Sequence, residues 1–138
     1  MVSANAAICR KRVPGSHAWS LIKLIKEHNC RTVAEIGVWK CATAIRVLAR
    51  CVQQLDAYHL IDPWQQFGVE GATGEEASGR PLRADWESFY QRALWLKTQC
   101  PAQVRVWRMP SVGAAKLFRP ESLGLVFIDA DHSYQAAR

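Results

Sequence analysis

Three acidic residues close short apolar runs of this 138-residue chain: Glu35 within Thr-Val-Ala-Glu-Ile, Asp62 after Tyr-His-Leu-Ile, and Asp129 after Leu-Val-Phe-Ile. A carboxylate at a strand end accepts hydrogen bonds from a ligand's hydroxyl or amino groups. Three such ends in one parallel sheet face a common crevice. Gly37, just past Glu35, lets the chain turn and lets a ligand approach the backbone closely. Asp62 follows Glu35 by about 27 residues, where an acid on the second strand can hold the ribose hydroxyls of an adenosine group. Trp64 is placed either to stack on such a ligand or to shield its loop. The chemistry expected is recognition of a nucleotide-sized molecule at the carboxyl rim of a sheet.

The elements that must hold these residues can be read from hydrophobic periodicity. Residues 32–37 form a first strand that is apolar except at its end, as expected when both faces are covered. A helix over about 39–53 follows, with Ala44, Ile45, Val47, Leu48 and Cys51 on its inner side. Strands are expected at 57–62, 103–108 and 123–129. Ser16 caps a helix at 17–28 bearing Trp19, Leu21, Ile22, Leu24 and Ile25. Asp85 begins another that runs to about Thr98, with Trp86, Phe89, Tyr90, Ala93, Leu94 and Leu96 facing the core, and Pro101 stops it. Ser111 caps a short helix containing Val112, Ala114, Ala115 and Leu117. The long connection through Phe67, Gly68, Gly71, Gly74, Gly79 and Pro81 is expected to be a mobile functional lid or an insertion. Helices alternating with strands define an α/β, Rossmann-like parallel sheet with helices on its faces and four predicted strands.

Composition narrows the function classes. The apolar fraction of 49% and charged fraction of 22% belong to an ordinary globular domain. Residues 1–15 are assigned as an amino-terminal arm and 16–138 as one partial domain. The net charge of +6 raises the question of nucleic acid, but apart from Arg10, Lys11 and Arg12 the cations are scattered, and the charge is assigned to solvated surface. Five cysteines without a Cys-x-x-Cys pair or zinc-like histidine spacing fit reduced thiols, hence a cytoplasmic location. No run of 18 apolar residues and no signal-peptide core occurs, so no membrane association is expected.

Three segments together carry a specific resemblance: Glu35-Ile36-Gly37-Val38, Ile61-Asp62-Pro63-Trp64 and Phe127-Ile128-Asp129-Ala130-Asp131-His132-Ser133-Tyr134. They resemble class I S-adenosylmethionine-dependent methyltransferases, and most closely the small-molecule O-methyltransferase-like branch with Asp-x-Asp-His-x-Tyr after its fourth strand. The resemblance runs from about Thr32 to Arg138. It implies S-adenosylmethionine as cofactor and methyl transfer to a small-molecule hydroxyl. Glu35 and Gly37 would lie at the cofactor, with the turn after Gly37 beside its methionine part, and Thr43 would contact its carboxylate. Asp62 would hold the ribose, Ser111 would lie near the adenine, and Trp64 belongs to the same cofactor-binding set. Asp129 matches a strand-end acid that in metal-dependent relatives helps bind a divalent cation, making Mg2+ a candidate there. Asp131 and His132 would face the acceptor as catalytic residues, His132 as general base.

Two departures accompany the resemblance. Cys41 stands where the family usually has a glycine that turns the loop around the cofactor. Four strands also leave the fold incomplete relative to the seven-stranded family, as in a chain truncated at its carboxyl end. A parallel sheet that ends on so apolar a strand exposes an edge, which predicts a homodimer through that edge. A catalytically inactive fragment acting only by sheet-edge association is therefore the alternative reading. A dinucleotide oxidoreductase is disfavoured because no Gly-x-Gly-x-x-Gly follows the first strand.

Overall fold

The computed structural model describes residues 17–65 and 85–130. Ser16, the Arg10 to Arg12 cluster, the Gly-rich connection, Asp131 and His132 lie outside the described residues. The element order is α1 (His17–Glu27), β1 (Thr32–Ile36), α2 (Ala42–Cys51), β2 (Ala57–Ile61), α3 (Trp86–Gln99), β3 (Val104–Trp107), α4 (Ser111–Ala115) and β4 (Leu125–Ile128). All four strands pair in parallel in the order β3-β2-β1-β4, the Rossmann-like arrangement expected. No described helix is long and apolar enough to cross a membrane.

Strand alternation divides the apolar residues between two faces. Val33, Tyr58, Leu60 and Val104 point to the face covered by α1, α2 and α3, where Leu21, Ile25, Val47, Leu48, Ala93 and Leu96 close the main core. Ala34 and Ile61 point to the other face and meet Ala114 of α4, with Ile36, Trp107 and Phe118 around them. On that second face Trp107 Nε1–H donates to His59 Nδ1 at 3.0 Å, and burial, then Arg105, lowers the His59 pKa.

The strands are shorter than expected by one or two residues at their ends. β1 stops at Ile36 because Gly37 takes φ +86, outside the extended region. The inner stripe of α1 is Ala18, Leu21, Ile22 and Ile25; Leu24 falls off it and remains 40% exposed. At α3, Asp85 is the N-cap as expected, accepting from Ser88 N–H at 3.0 Å. At α4 the expectation fails: Pro110 is the N-cap, no side chain caps the helix, and Ser111 is its first helical residue. Proline has its φ already fixed and no N–H to leave unpaired, so the chain can enter the helix there without a hydroxyl cap.

Candidate functional site

The connection order creates the site. β1, β2 and β3 step outward to one side, and β4 then returns to the opposite side of β1. Where strand order reverses, the following loops part and leave a crevice at the carboxyl ends. Gly37 follows β1 and Asp129 follows β4 on either side of that reversal, and they are locked in register. Asp129 N–H donates to Ile36 C=O at 2.8 Å, and Gly37 N–H donates to Ile61 C=O at 3.0 Å. Since strands lie about 4.8 Å apart, positions 37, 62 and 129 sit side by side along one rim, each the first residue past its strand.

Gly37 is fixed by both conformation and space. A Cβ built on it would overlap the Asp129 carbonyl oxygen and lie 2.6 Å from Ala130 Cα, and its φ of +86 favours glycine in any case. Two strand ends are thus brought together at a point where no side chain fits.

Asp62 is 2% exposed, and its carboxylate is largely engaged with the backbone. Val38 N–H and Trp39 N–H each donate to Oδ2 at 2.9 Å, and Trp64 N–H donates to Oδ1 at 2.7 Å. Trp39 and Trp64 both adopt left-handed backbone, φ 47 and 44, which costs a bulky residue about 1–2 kcal/mol. The two strained residues donate to one carboxylate, and Trp64 Nε1–H also donates to the Trp39 carbonyl at 3.1 Å. Asp62 therefore ties the loop after β1 to the loop after β2. A carboxylate has about four lone-pair sites, so three filled by amides leave about one for a ligand hydroxyl. Trp64 itself is fully buried, its ring 5.3 Å from that of Tyr90.

Glu35 is 1% exposed and points to the main core, where the Tyr58 hydroxyl donates to its Oε2 at 2.6 Å. Burial pushes its pKa up to about 8; Tyr58 counteracts this, and the negative charges of Asp129 and Asp62 add to the rise. Burial, then the negative charge of Glu35, also holds the Tyr58 phenol well above its ordinary value. Asp129 is half-buried at the mouth, with His17 Nδ1 of α1 3.7 Å from its Oδ2. Sequence reasoning missed Tyr58, His17 and the loop amides as partners of these acids. One available signal was Tyr58 itself, because a tyrosine in a buried strand needs a partner for its hydroxyl.

Thr43 is half-buried in the first turn of α2, whose N-cap is Cys41 with no side-chain cap. Cys41 keeps the left-handed backbone (φ 62, ψ 19) that a glycine would adopt freely, with its side chain wholly buried. The substitution thus leaves the turn in place and adds backbone strain. Ser111 is half-buried past β3, one strand beyond Asp62. Among the described residues no group of three or more His, Cys, Asp or Glu could hold a metal ion.

The described cysteines, Cys30, Cys41, Cys51 and Cys100, are unpaired and buried. Burial raises the thiol pKa of Cys51 and Cys100, and burial together with nearby Glu35 pushes Cys41 up to about 12. Iodoacetamide applied to the folded protein at pH 7.5 should leave these four unmodified by mass spectrometry and alkylate all of them in urea. Rapid modification of Cys41 in the folded chain would contradict this placement.

Residues 34–138 match the model of a family described as a methyltransferase domain, a span that begins within β1 and includes Glu35, Asp62, Asp129, Asp131 and His132. No curated protein matches the chain.

Proposed function

The chain belongs to the methyltransferase-domain family, and from that premise we propose that the rim formed by Glu35, Gly37, Asp62 and Asp129 binds S-adenosylmethionine for methyl transfer to a small-molecule hydroxyl. The observation that carries this is the register of the three strand ends, which sets two carboxylates and a glycine without room for a Cβ beside the reversal of strand order. The donor set suits the cofactor. Its ribose needs acceptors, its ammonium and sulfonium need negative charge, and its carboxylate needs donors such as the uncapped first turn of α2 with the Thr43 hydroxyl.

Bound cofactor supplies an electrophilic sulfonium methyl group. The chain supplies position and charge. Gly37 and its turn carry the methionine part, the remaining acceptor site of Asp62 takes a ribose hydroxyl, and Ser111 and the buried Trp64 border the adenosine side. Asp131 and His132, two and three residues past Asp129, would face the acceptor, with His132 taking its hydroxyl proton. For Mg2+, Asp129 would be one oxygen ligand, but among the described residues no group of three ligands accompanies it, and no step is assigned to the metal.

The test is methyl transfer from labelled S-adenosylmethionine to a panel of phenols and sugars, with and without Mg2+. Turnover should fall at least about 100-fold in His132→Ala, while cofactor affinity by calorimetry stays within about twofold. Equal loss of both would reject the base assignment.

A second reading rests on the outer edge of β4. Among the described residues β4 pairs only with β1, Val126 and Ile128 are 44% and 69% exposed, and a groove of about 310 Å3 runs between β4 and α1 past Leu24 and His17. A second copy joined through this edge would form a homodimer. An inactive chain that only self-associates would dimerise in sedimentation without binding cofactor.

A further inference from the structure

Three acidic residues lie at or just before the ends of neighbouring strands, and the compensation of their carboxyl groups is unequal. Asp62 is held by three backbone amides, and Asp129 lies near the mouth with His17 beside it. Glu35 lies deepest, and the one described hydrogen-bond partner of its side chain is the Tyr58 hydroxyl. The surrounding groups add little positive charge. Around Glu35 stand Tyr58 from β2, Asp62 and Asp129 from the loops after β2 and β4, and Cys41 before α2. Cys51 of α2 acts on Tyr58, Arg92 of α3 acts on Cys41, and His17 of α1 faces Asp129. A buried acid in that setting keeps its proton at neutral pH, consistent with a pKa of about 8. Bringing a cation to the rim changes the balance, because an opposite charge nearby favours the ionised carboxylate.

S-adenosylmethionine carries a sulfonium that its product lacks. Methyl transfer turns this sulfonium into a neutral thioether, so substrate and product differ by one positive charge at nearly the same shape. On the reading that the rim is the cofactor site, we infer that Glu35 couples this charge difference to a proton: the cationic cofactor expels the Glu35 proton to solvent when it binds, and S-adenosylhomocysteine leaves it in place. Preference for cofactor over product then rises with pH. The Tyr58 hydroxyl sets the midpoint, because its hydrogen bond favours the carboxylate. Product inhibition is correspondingly strongest on the acid side of neutrality.

Calorimetry on the full chain in buffers of different ionisation enthalpy counts the protons. At pH 7, S-adenosylmethionine should release roughly half a proton or more beyond that released with S-adenosylhomocysteine, and the ratio of product Kd to cofactor Kd should rise about five- to tenfold between pH 6.5 and 8.5. The ligand's own amino group titrates in the same range, so the readout is the difference between wild type and Glu35→Gln, which should release no extra proton and show a flat contribution from this position. Tyr58→Phe keeps the acid and removes its hydroxyl partner, and should move the midpoint to higher pH. Tight binding of both ligands with equal proton counts in wild type, Glu35→Gln and Tyr58→Phe overturns the coupling while leaving the site intact. Failure of the folded wild type to bind S-adenosylmethionine at any pH overturns the site itself.

Discussion

Gly37→Ala is expected to lose about 2–5 kcal/mol of folding stability, the sum of about 1–2 kcal/mol for left-handed backbone and about 1–3 kcal/mol for overpacking. The new methyl would meet the Asp129 carbonyl and the Ala130 Cα, which are backbone and cannot swing aside as a flexible side chain could. Relief would require β1 and β4 to separate at the end where Asp129 N–H bonds Ile36 C=O. A loss of this size is a large share of a small domain's total of about 5–15 kcal/mol, so urea unfolding should show a much lower midpoint or no cooperative transition. Gly113→Ala is the control. Gly113 lies within α4 with nothing within 4 Å of the added carbon, and helix propensity predicts a change between zero and about 1 kcal/mol in the stabilising direction. Equal damage from both substitutions would show that the close approach at Gly37 is unimportant.

Asp62→Ala is the second large effect, and it should act through backbone before ligand. Removing the carboxylate takes the acceptor from Val38, Trp39 and Trp64 N–H groups at once, at about 1–3 kcal/mol for each donor left buried and unpaired. Water reaching the loops would recover some of this, giving an expected loss of about 3–6 kcal/mol. Asp62→Asn should cost less, about 1–3 kcal/mol, because its amide oxygen can still accept while its NH2 opposes one of the three donors. Trp39 and Trp64 would then relax from left-handed backbone, which their fluorescence should report, and S-adenosylmethionine affinity should fall with loop order. If Asp62→Ala is as stable as wild type yet binds no cofactor, Asp62 is a ligand contact only and the loop-tying role fails.

These two residues also mark what the sequence can disclose. The apolar run ending in Glu35-Ile-Gly is legible because a doubly covered strand is apolar along both faces and only glycine turns so sharply at its end. The parallel pairing of the sheet follows from the alternation of elements, since parallel strands need crossovers, whereas the return of β4 to the far side of β1 is seen only in the structure. The amide cradle of Asp62 was hidden, because it depends on two tryptophans taking a backbone conformation that their residue type disfavours. The Ser111 cap failed for a related reason: a preceding proline had already set the entry to α4. The Glu35 to Tyr58 bond depends on register. Glu35 pairs with Leu60, so Tyr58 lies two positions back on the same face, a diagonal distance that a tyrosine can reach and a linear reading does not reveal. Leu24 fitted the helical stripe by spacing, yet it sits at the margin of α1 beside the β4 edge that no described strand covers.

The central claim is that the three strand ends form one cofactor site, and amide chemical shifts test it residue by residue. Titrating the 15N-labelled full chain with S-adenosylmethionine should shift Gly37, Val38, Trp39, Thr43, Trp64 and Asp129 together along a single binding curve. Shifts confined to Leu24, Leu125 and Ile128 along the α1 and β4 groove, or no shifts at millimolar ligand, would contradict it.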